Sequence, residues 1–380
     1  MKVVALEAFA VVAPAQGSYW GAQSWSSTAD PAQARRRFIY SDAVQTVLVR
    51  IETSDGVVGW GESKAPVGAV ATATIVRELL APIAVGSRID EITLTWDRMY
   101  TGMRVRGHDA GFWLEALSGV DIALWDALGR SIGRPVHTLI GGRYRAAVPV
   151  YASGIPAGLG VEKAVELART YRERGYTATK VAIGSDPRQD VAVVEAVCGI
   201  MESVYADAAG TYDLAQALTV GRELSRLGAG FFEMPIAPEF VDGYAVLAAK
   251  LDIPLALDSL PNRYRAKEFL LRNALHVLQP DVCRAGGITE LMRIASLADS
   301  FGAQATPHVS IGSAVHFAAS LHCAAAIPNL SVMEHWAGDN PLGTAIAPEH
   351  ATPVDGLRAV TDAPGLGITV DEEVVRRYSV

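Results

Sequence analysis

Short apolar runs recur through the second half of the chain, and polar-faced stretches of helical period separate them. The runs read VPVYASG, ATKVAIG, SVYAD, GFFEMP, IPLALD, HVLQPD, QATPH and SVMEH. Between them, apolar residues return every three or four positions over 162–175, 187–202, 213–227, 240–250, 264–273, 287–301 and 313–326. Gly175 closes the first of these stretches as a helix stop. Eight strands alternating with seven helices predict an α/β fold with a parallel sheet, and a closed barrel accommodates that count better than an open doubly wound sheet. No GxGxxG follows the first strand, which counts against a dinucleotide-binding fold.

The first part of the chain has a different rhythm. Residues 3–12 and 44–52 alternate like strands, and VQTVLVRIE runs through a Ser54-Asp55-Gly56 turn into VVGWGES, a hairpin pattern. Helical patterns follow at about 68–97 and 111–131; the second ends at Gly133, before Pro135. Between the first two strands lies GSYWGAQSWSS, from Gly17 to Ser27, rich in Gly, Ser and aromatic residues. Its length and polarity predict a surface loop of the lid or binding type. The expected organisation is an α+β domain over 1–130, a barrel over 131–335, and a Pro/Gly-rich segment over 336–380 that returns to the first domain.

Bulk properties narrow the function. A chain of 380 residues with 50% apolar and 19% charged positions builds a sizeable core, with two domains the natural division. A net charge of -8, with no basic run longer than Arg35-Arg36-Arg37, disfavours a nucleic-acid partner. Cys198, Cys283 and Cys323 are far apart and form no CxxC, so buried inert thiols are expected, not a disulfide framework or a zinc site. The opening MKVVALEAFAVVAP alternates like a strand and lacks signal-peptide organisation, and no apolar stretch is long enough to span a bilayer. A soluble cytoplasmic protein with no membrane partner is the expectation.

Seven ionisable residues stand at the strand ends: Lys180, Asp207, Glu233, Asp258, Asp281, His308 and Glu334, spaced 23 to 27 residues apart. That is about the length of one strand, one crossover helix and two turns. The array therefore predicts one active site at the C-terminal face of the barrel. Asp207, Glu233 and Asp258 end consecutive strands. A single aspartate there reads as a helix N-cap. Three converging carboxylates would repel one another, and a divalent cation with oxygen ligands, Mg²⁺, resolves the conflict. Asp281 beside His308 would fix one imidazole tautomer and make a better base. Two roles fit Lys180: a proton-exchanging amine, or a fixed cation facing a substrate carboxylate. Glu334 could bond a substrate oxygen. These parts suit removal of a proton α to a carboxylate, which makes a small carboxylate the expected ligand.

Several segments resemble the enolase superfamily, within it the mandelate racemase / muconate lactonizing enzyme group. They are DGVVGWGES, ALSGVDIALWDALGRSIGRPVHTLIGG, LQPDVCRAGGITE, ATPH and PGLGI, spread over nearly the whole chain. The resemblance implies an α+β capping domain on a modified TIM barrel, (β/α)7β, which agrees with the seven helices counted above. It implies that Asp207, Glu233 and Asp258 are magnesium ligands. Asp281 and His308 would be the racemase-type dyad, and Glu334 the acid facing the substrate carboxylate. The loop carrying Tyr19, Trp20 and Trp25 would be a specificity loop, with Ser153 among the strand-end residues contacting substrate. Family members are commonly homo-oligomers, and the same is implied here.

Three positions depart from the family pattern. The second barrel strand usually carries Lys-x-Lys, whose second lysine is the opposing base; here the run is Lys180-Val181-Ala182. Ala209 stands where Asn is common after the first metal ligand. The third ligand matches the Asp type of the muconate lactonizing branch, and Ser259 occupies the position of the racemase-branch Glu. Loss of the opposing lysine disfavours two-base racemisation. The expected activities, in order, are acid-sugar dehydration, cycloisomerisation of a sugar-acid lactone, and epimerisation. A degenerate relative that binds an acid sugar without turnover is the alternative outside enzymes.

Overall fold

The computed structural model of the chain describes residues 1–14, 43–347 and 353–380. The N-terminal strands β1 (Val3–Pro14), β2 (Ala43–Thr53) and β3 (Val58–Ser63) form an antiparallel sheet in that order. The β2–β3 hairpin turns at Gly56, whose φ is +79°, and Thr53 and Val57 close it. The long helix Phe112–Ile132 packs on this sheet. The contact requires glycine: a Cβ on Gly61 would lie 1.9 Å from the Gly119 carbonyl oxygen. GWGES is therefore a packing motif, and it delivers Glu62 and Lys64 towards the barrel.

One expected element is broken. The stretch 68–97, predicted as one helix, runs as Ala69–Ile75, widens into a π turn at Val76–Leu80, and finishes at Ala84. A separate helix spans Ile92–Arg104. Pro82 has no N–H to give the preceding turn and its ring crowds that turn's carbonyls, so the helix widens before it. Gly86, at φ +87°, then turns the chain away.

The second sheet contains eight parallel strands: β4 (Ala147–Ile155), β5 (Ala178–Ala182), β6 (Ser203–Asp207), β7 (Phe232–Glu233), β8 (Leu255–Leu257), β9 (Val277–Leu278), β10 (Gln304–Ala305) and β11 (Met333–Trp336). They pair in sequence from β4 to β10, and β11 pairs with β4. Glu334 N donates to Pro307 O at 3.3 Å, so the curled sheet meets itself between β10 and β11. Each of the seven stretches expected between strands contains a helix. The later strands are shorter than their apolar runs. Pro235, Pro280 and Pro307 lack an N–H and interrupt the ladder at these strand ends.

The tail touches the barrel before returning to the first domain. β12 (Leu357–Ala359) pairs antiparallel with β4. Farther on, Leu366 N donates to Asp126 Oδ1 at 2.7 Å, and Val380 N donates to Ala10 O at 3.0 Å. Cys283 and Cys323 are buried, Cys198 partly so, and all three are free thiols. No helix among the described residues is long and apolar enough to cross a membrane.

Candidate active site

All seven strand-end residues occupy the same end of the barrel, and six are buried to within 7% exposure. Asp207 and Glu233 are the last residues of β6 and β7 and pair in register; Asp258 directly follows β8. Lys180 lies lower, inside β5. Ala182, not Lys180, is level with Asp207, and strand alternation puts Ala182 on the same side as Lys180. The position of the missing lysine is thus occupied by a methyl group beside the carboxylates.

Lys180 sits among acids. Its Nζ donates to Glu233 Oε2 at 2.9 Å and lies 2.9 Å from Glu334 Oε1 and 3.5 Å from Asp207 Oδ2. Burial opposes its charge, but the fields of Glu233 and Glu334 outweigh burial and hold the ammonium well above its ordinary pKa. Glu334 responds in kind. Burial pushes its carboxyl up, yet Lys180 and His308 hold it at about 2. It accepts from Val309 N at 2.8 Å, and its carboxylate is also met by the Ser153 hydroxyl. Ser153 is therefore seated on Glu334, the acid that the family resemblance sets towards the substrate.

The histidine pair forms. His308 Nδ1 lies 2.9 Å from Asp281 Oδ2, which leaves Nε2 facing Glu334 Oε2 at 3.5 Å and Asp258 Oδ2 at 3.7 Å. Asp281 has more partners than a two-member dyad needs. Lys64 Nζ donates to the same Oδ2 at 3.0 Å, Cys283 N donates to Oδ1 at 2.8 Å, and His316 Nε2 lies 3.1 Å from Oδ1. Burial alone would raise the Asp281 carboxyl; His316, Lys64 and His308 together bring it well below the usual range. Lys64 also bonds Ser310. Beside it, Glu62 accepts from Ser313 N at 2.8 Å and His316 N at 2.9 Å, so the end of β3 clamps the segment that follows His308.

Sequence reasoning missed Glu62, Lys64, Gln279 and His316. Lys64 is 217 positions from Asp281 and reads locally as a loop cation. Gln279 was within reach: it stands two residues before Asp281, and its Nε2 donates to Glu233 Oε2 at 2.9 Å. Tyr19, Trp20 and Trp25 of the expected specificity loop lie outside the described residues.

The acids suit a divalent cation. Asp207 and Glu233 both have raised pKa values, chiefly from burial; for Glu233 the next cause is the charge of Asp207. Glu233 Oε1 is buried with no hydrogen-bond partner among the described residues. Ligand atoms of Glu233, Asp258 and His308 lie within 4.8 Å of one another. Asp207 joins them through Lys180, which bridges it to Glu233. These carboxylates, with one orphaned oxygen and His308 close enough to join them, could hold such an ion and relieve the repulsion.

Comparison with known proteins places the fold in a family. Residues 163–374 match the enolase C-terminal domain-like family, and residues 28–141 match the mandelate racemase / muconate lactonizing enzyme N-terminal domain. The chain is 34% identical over 347 residues to the D-galactarolactone cycloisomerase of Agrobacterium fabrum, covering 87% of this chain and 90% of that one. It is 32% identical over 342 residues to the arabinonate dehydratase of Saccharolobus solfataricus, covering 88% and 91%. The crystal structure of the 3,6-anhydro-D-galactonate cycloisomerase from Zobellia galactanivorans superposes with a TM-score of 0.87 at 26% identity over the whole of both chains. A member of the enolase superfamily from Agrobacterium tumefaciens superposes at 0.90 with 27% identity, covering 99% of this chain and 98% of that one. The relatives thus span acid-sugar dehydratases and a sugar-lactone cycloisomerase. With both domains matched and the barrel in place, the chain belongs to the enolase superfamily, in its mandelate racemase / muconate lactonizing enzyme group.

Proposed function

We propose that this protein catalyses a one-base β-elimination on a sugar acid, and that dehydration to a 2-keto acid is its reaction. The observation that carries this is the pairing of a buried His308–Asp281 dyad with Ala182 on the opposing strand. One face of the site has a base; the inward position across from it has none.

In this scheme His308 Nε2 takes the proton α to the substrate carboxylate, and the C–H electron pair forms an enediolate. Asp281 holds Nδ1–H, so Nε2 is the nitrogen free to accept. Bound by Asp207, Glu233 and Asp258, Mg²⁺ would stabilise the enediolate charge. Lys180 acts as a fixed cation, since its acid partners favour the charged form, and it orients the substrate carboxylate, while the ionised Glu334 holds the ammonium in place. The β C–O bond then breaks, the leaving oxygen takes a proton from the imidazolium, and the enol ketonises. Atoms balance with loss of one water and no redox change.

A second reading is favoured by the relatives named above. In a lactone cycloisomerase the same proton is removed, but the expelled oxygen belongs to the ring and stays in the product. Incubating the protein with Mg²⁺ and a panel of sugar acids and their lactones separates the two. A 2-keto acid formed with loss of water supports dehydration; ring opening of a lactone without change in mass supports cycloisomerisation. Binding without turnover of any member would contradict both and favour a binding protein.

A further inference from the structure

We propose that Gln279 sets how Glu233 can bind its cation, and so selects Mg²⁺ over the larger Ca²⁺. This rests on the metal site proposed above. Two donors converge on one oxygen: Lys180 Nζ and Gln279 Nε2 each lie 2.9 Å from Glu233 Oε2. Glu233 Oε1 is left buried and without a partner among the described residues. A carboxylate whose Oε2 is engaged twice cannot turn that oxygen to a cation as well. It offers Oε1 alone.

The amide orientation follows from chemistry. Flipping it would aim Gln279 Oε1 at Glu233 Oε2, acceptor against acceptor. The side chain is fully buried, and Gln279 N donates to Leu257 O at 2.9 Å, on the strand that leads into Asp258. Its position is therefore tied to the third carboxylate as well as to the second. Mg²⁺ requires near-octahedral geometry and takes single carboxylate oxygens. Ca²⁺ accepts about six to eight oxygens and gains from bidentate carboxylates. A ligand restricted to one oxygen disfavours Ca²⁺. Gln279 is thus a positioning residue for metal choice.

The test is cation affinity of the chelator-stripped protein, measured by calorimetry with MgCl₂ and with CaCl₂. Removing a hydrogen bond to a metal ligand commonly alters metal affinity about 10–100-fold. Gln279→Met removes the donor at similar volume, and circular dichroism reports whether the fold is kept. The expected result is a Mg²⁺:Ca²⁺ affinity ratio lower than wild type by about ten-fold or more. A smaller change overturns the proposal, because a purely structural role would weaken both ions alike. Gln279→Asn, which withdraws the amide by one methylene, carries the same expectation if the Met variant does not fold. Wild-type protein that binds neither ion overturns the metal site itself; wild-type binding with an unaltered ratio overturns only the role of Gln279.

Discussion

Lys64 Nζ, at the end of a capping-domain strand, lies 3.0 Å from Asp281 Oδ2 in the barrel, the oxygen that also holds His308. Both partners are buried, with 4% and 1% exposure. The proposed base is thus assembled from both domains. Removing one member of a buried ion pair costs about 3–5 kcal/mol when the other is left uncompensated. Cys283 N, His308 and His316 still face Asp281, so Lys64→Met should lower stability by less, about 1–3 kcal/mol, seen as a reduced urea midpoint, and should reduce kcat. Lys64→Arg should recover part of both. A loss below about 1 kcal/mol for Lys64→Met would mean that the pair is not a structural tie.

Ala209 follows the first carboxylate of the proposed metal site at φ +47°, a left-handed conformation that costs a residue with a Cβ about 1–2 kcal/mol. Its N–H donates to Asp207 Oδ1 at 2.9 Å, which keeps the backbone there. Ala209→Gly should raise stability by roughly 0.5–1 kcal/mol, since Gly adopts this region freely but loses more chain entropy on folding. Ala209→Asn should be tolerated or mildly stabilising. Thermal unfolding midpoints check both; a fall in midpoint for the Gly variant contradicts the strain.

His322 gives a pH signature away from the active site. Its ring stacks on His137, with the two Nδ1 atoms 3.1 Å apart, and it is fully buried; Asp362 of the tail and Arg143 of the loop that follows His137 act on His137 and pair with each other. Burial holds His322 neutral, with a pKa of about 4 against an ordinary 6.5. The unfolded chain binds the proton first as pH falls. Stability from this group is therefore complete above 6.5 and declines as pH drops from 6.5 to 4, by on the order of 3 kcal/mol. His322→Asn should flatten that part of the profile of unfolding midpoint against pH. An unchanged slope would mean that other groups set it.

Most of the architecture could be read because seven of the eight barrel strands announce themselves twice, as an apolar run and by an ionisable residue in it or just after it. Asp207, Glu233, Asp258, Asp281, His308 and Glu334 all fall where that pattern puts them, on one end of one barrel. The failures have local causes. Pro82 divides a helix whose apolar period continues across it, because period reports a face and not an unbroken hydrogen-bond ladder. Lys64 and Glu62 gain their meaning from contacts more than 200 positions away, which local pattern does not carry. Of the two roles open to Lys180, its distances to Glu233 and Glu334 favour the fixed cation.

The central claim, one base on one face, is tested most directly by α-proton exchange in D₂O with Mg²⁺ and a turned-over sugar acid. Wild-type protein should exchange the proton and form the keto product. His308→Asn should reduce exchange by about 10²–10⁴-fold, the usual contribution of a positioned general base. Exchange surviving in His308→Asn at near wild-type rate would contradict the account and place the base elsewhere.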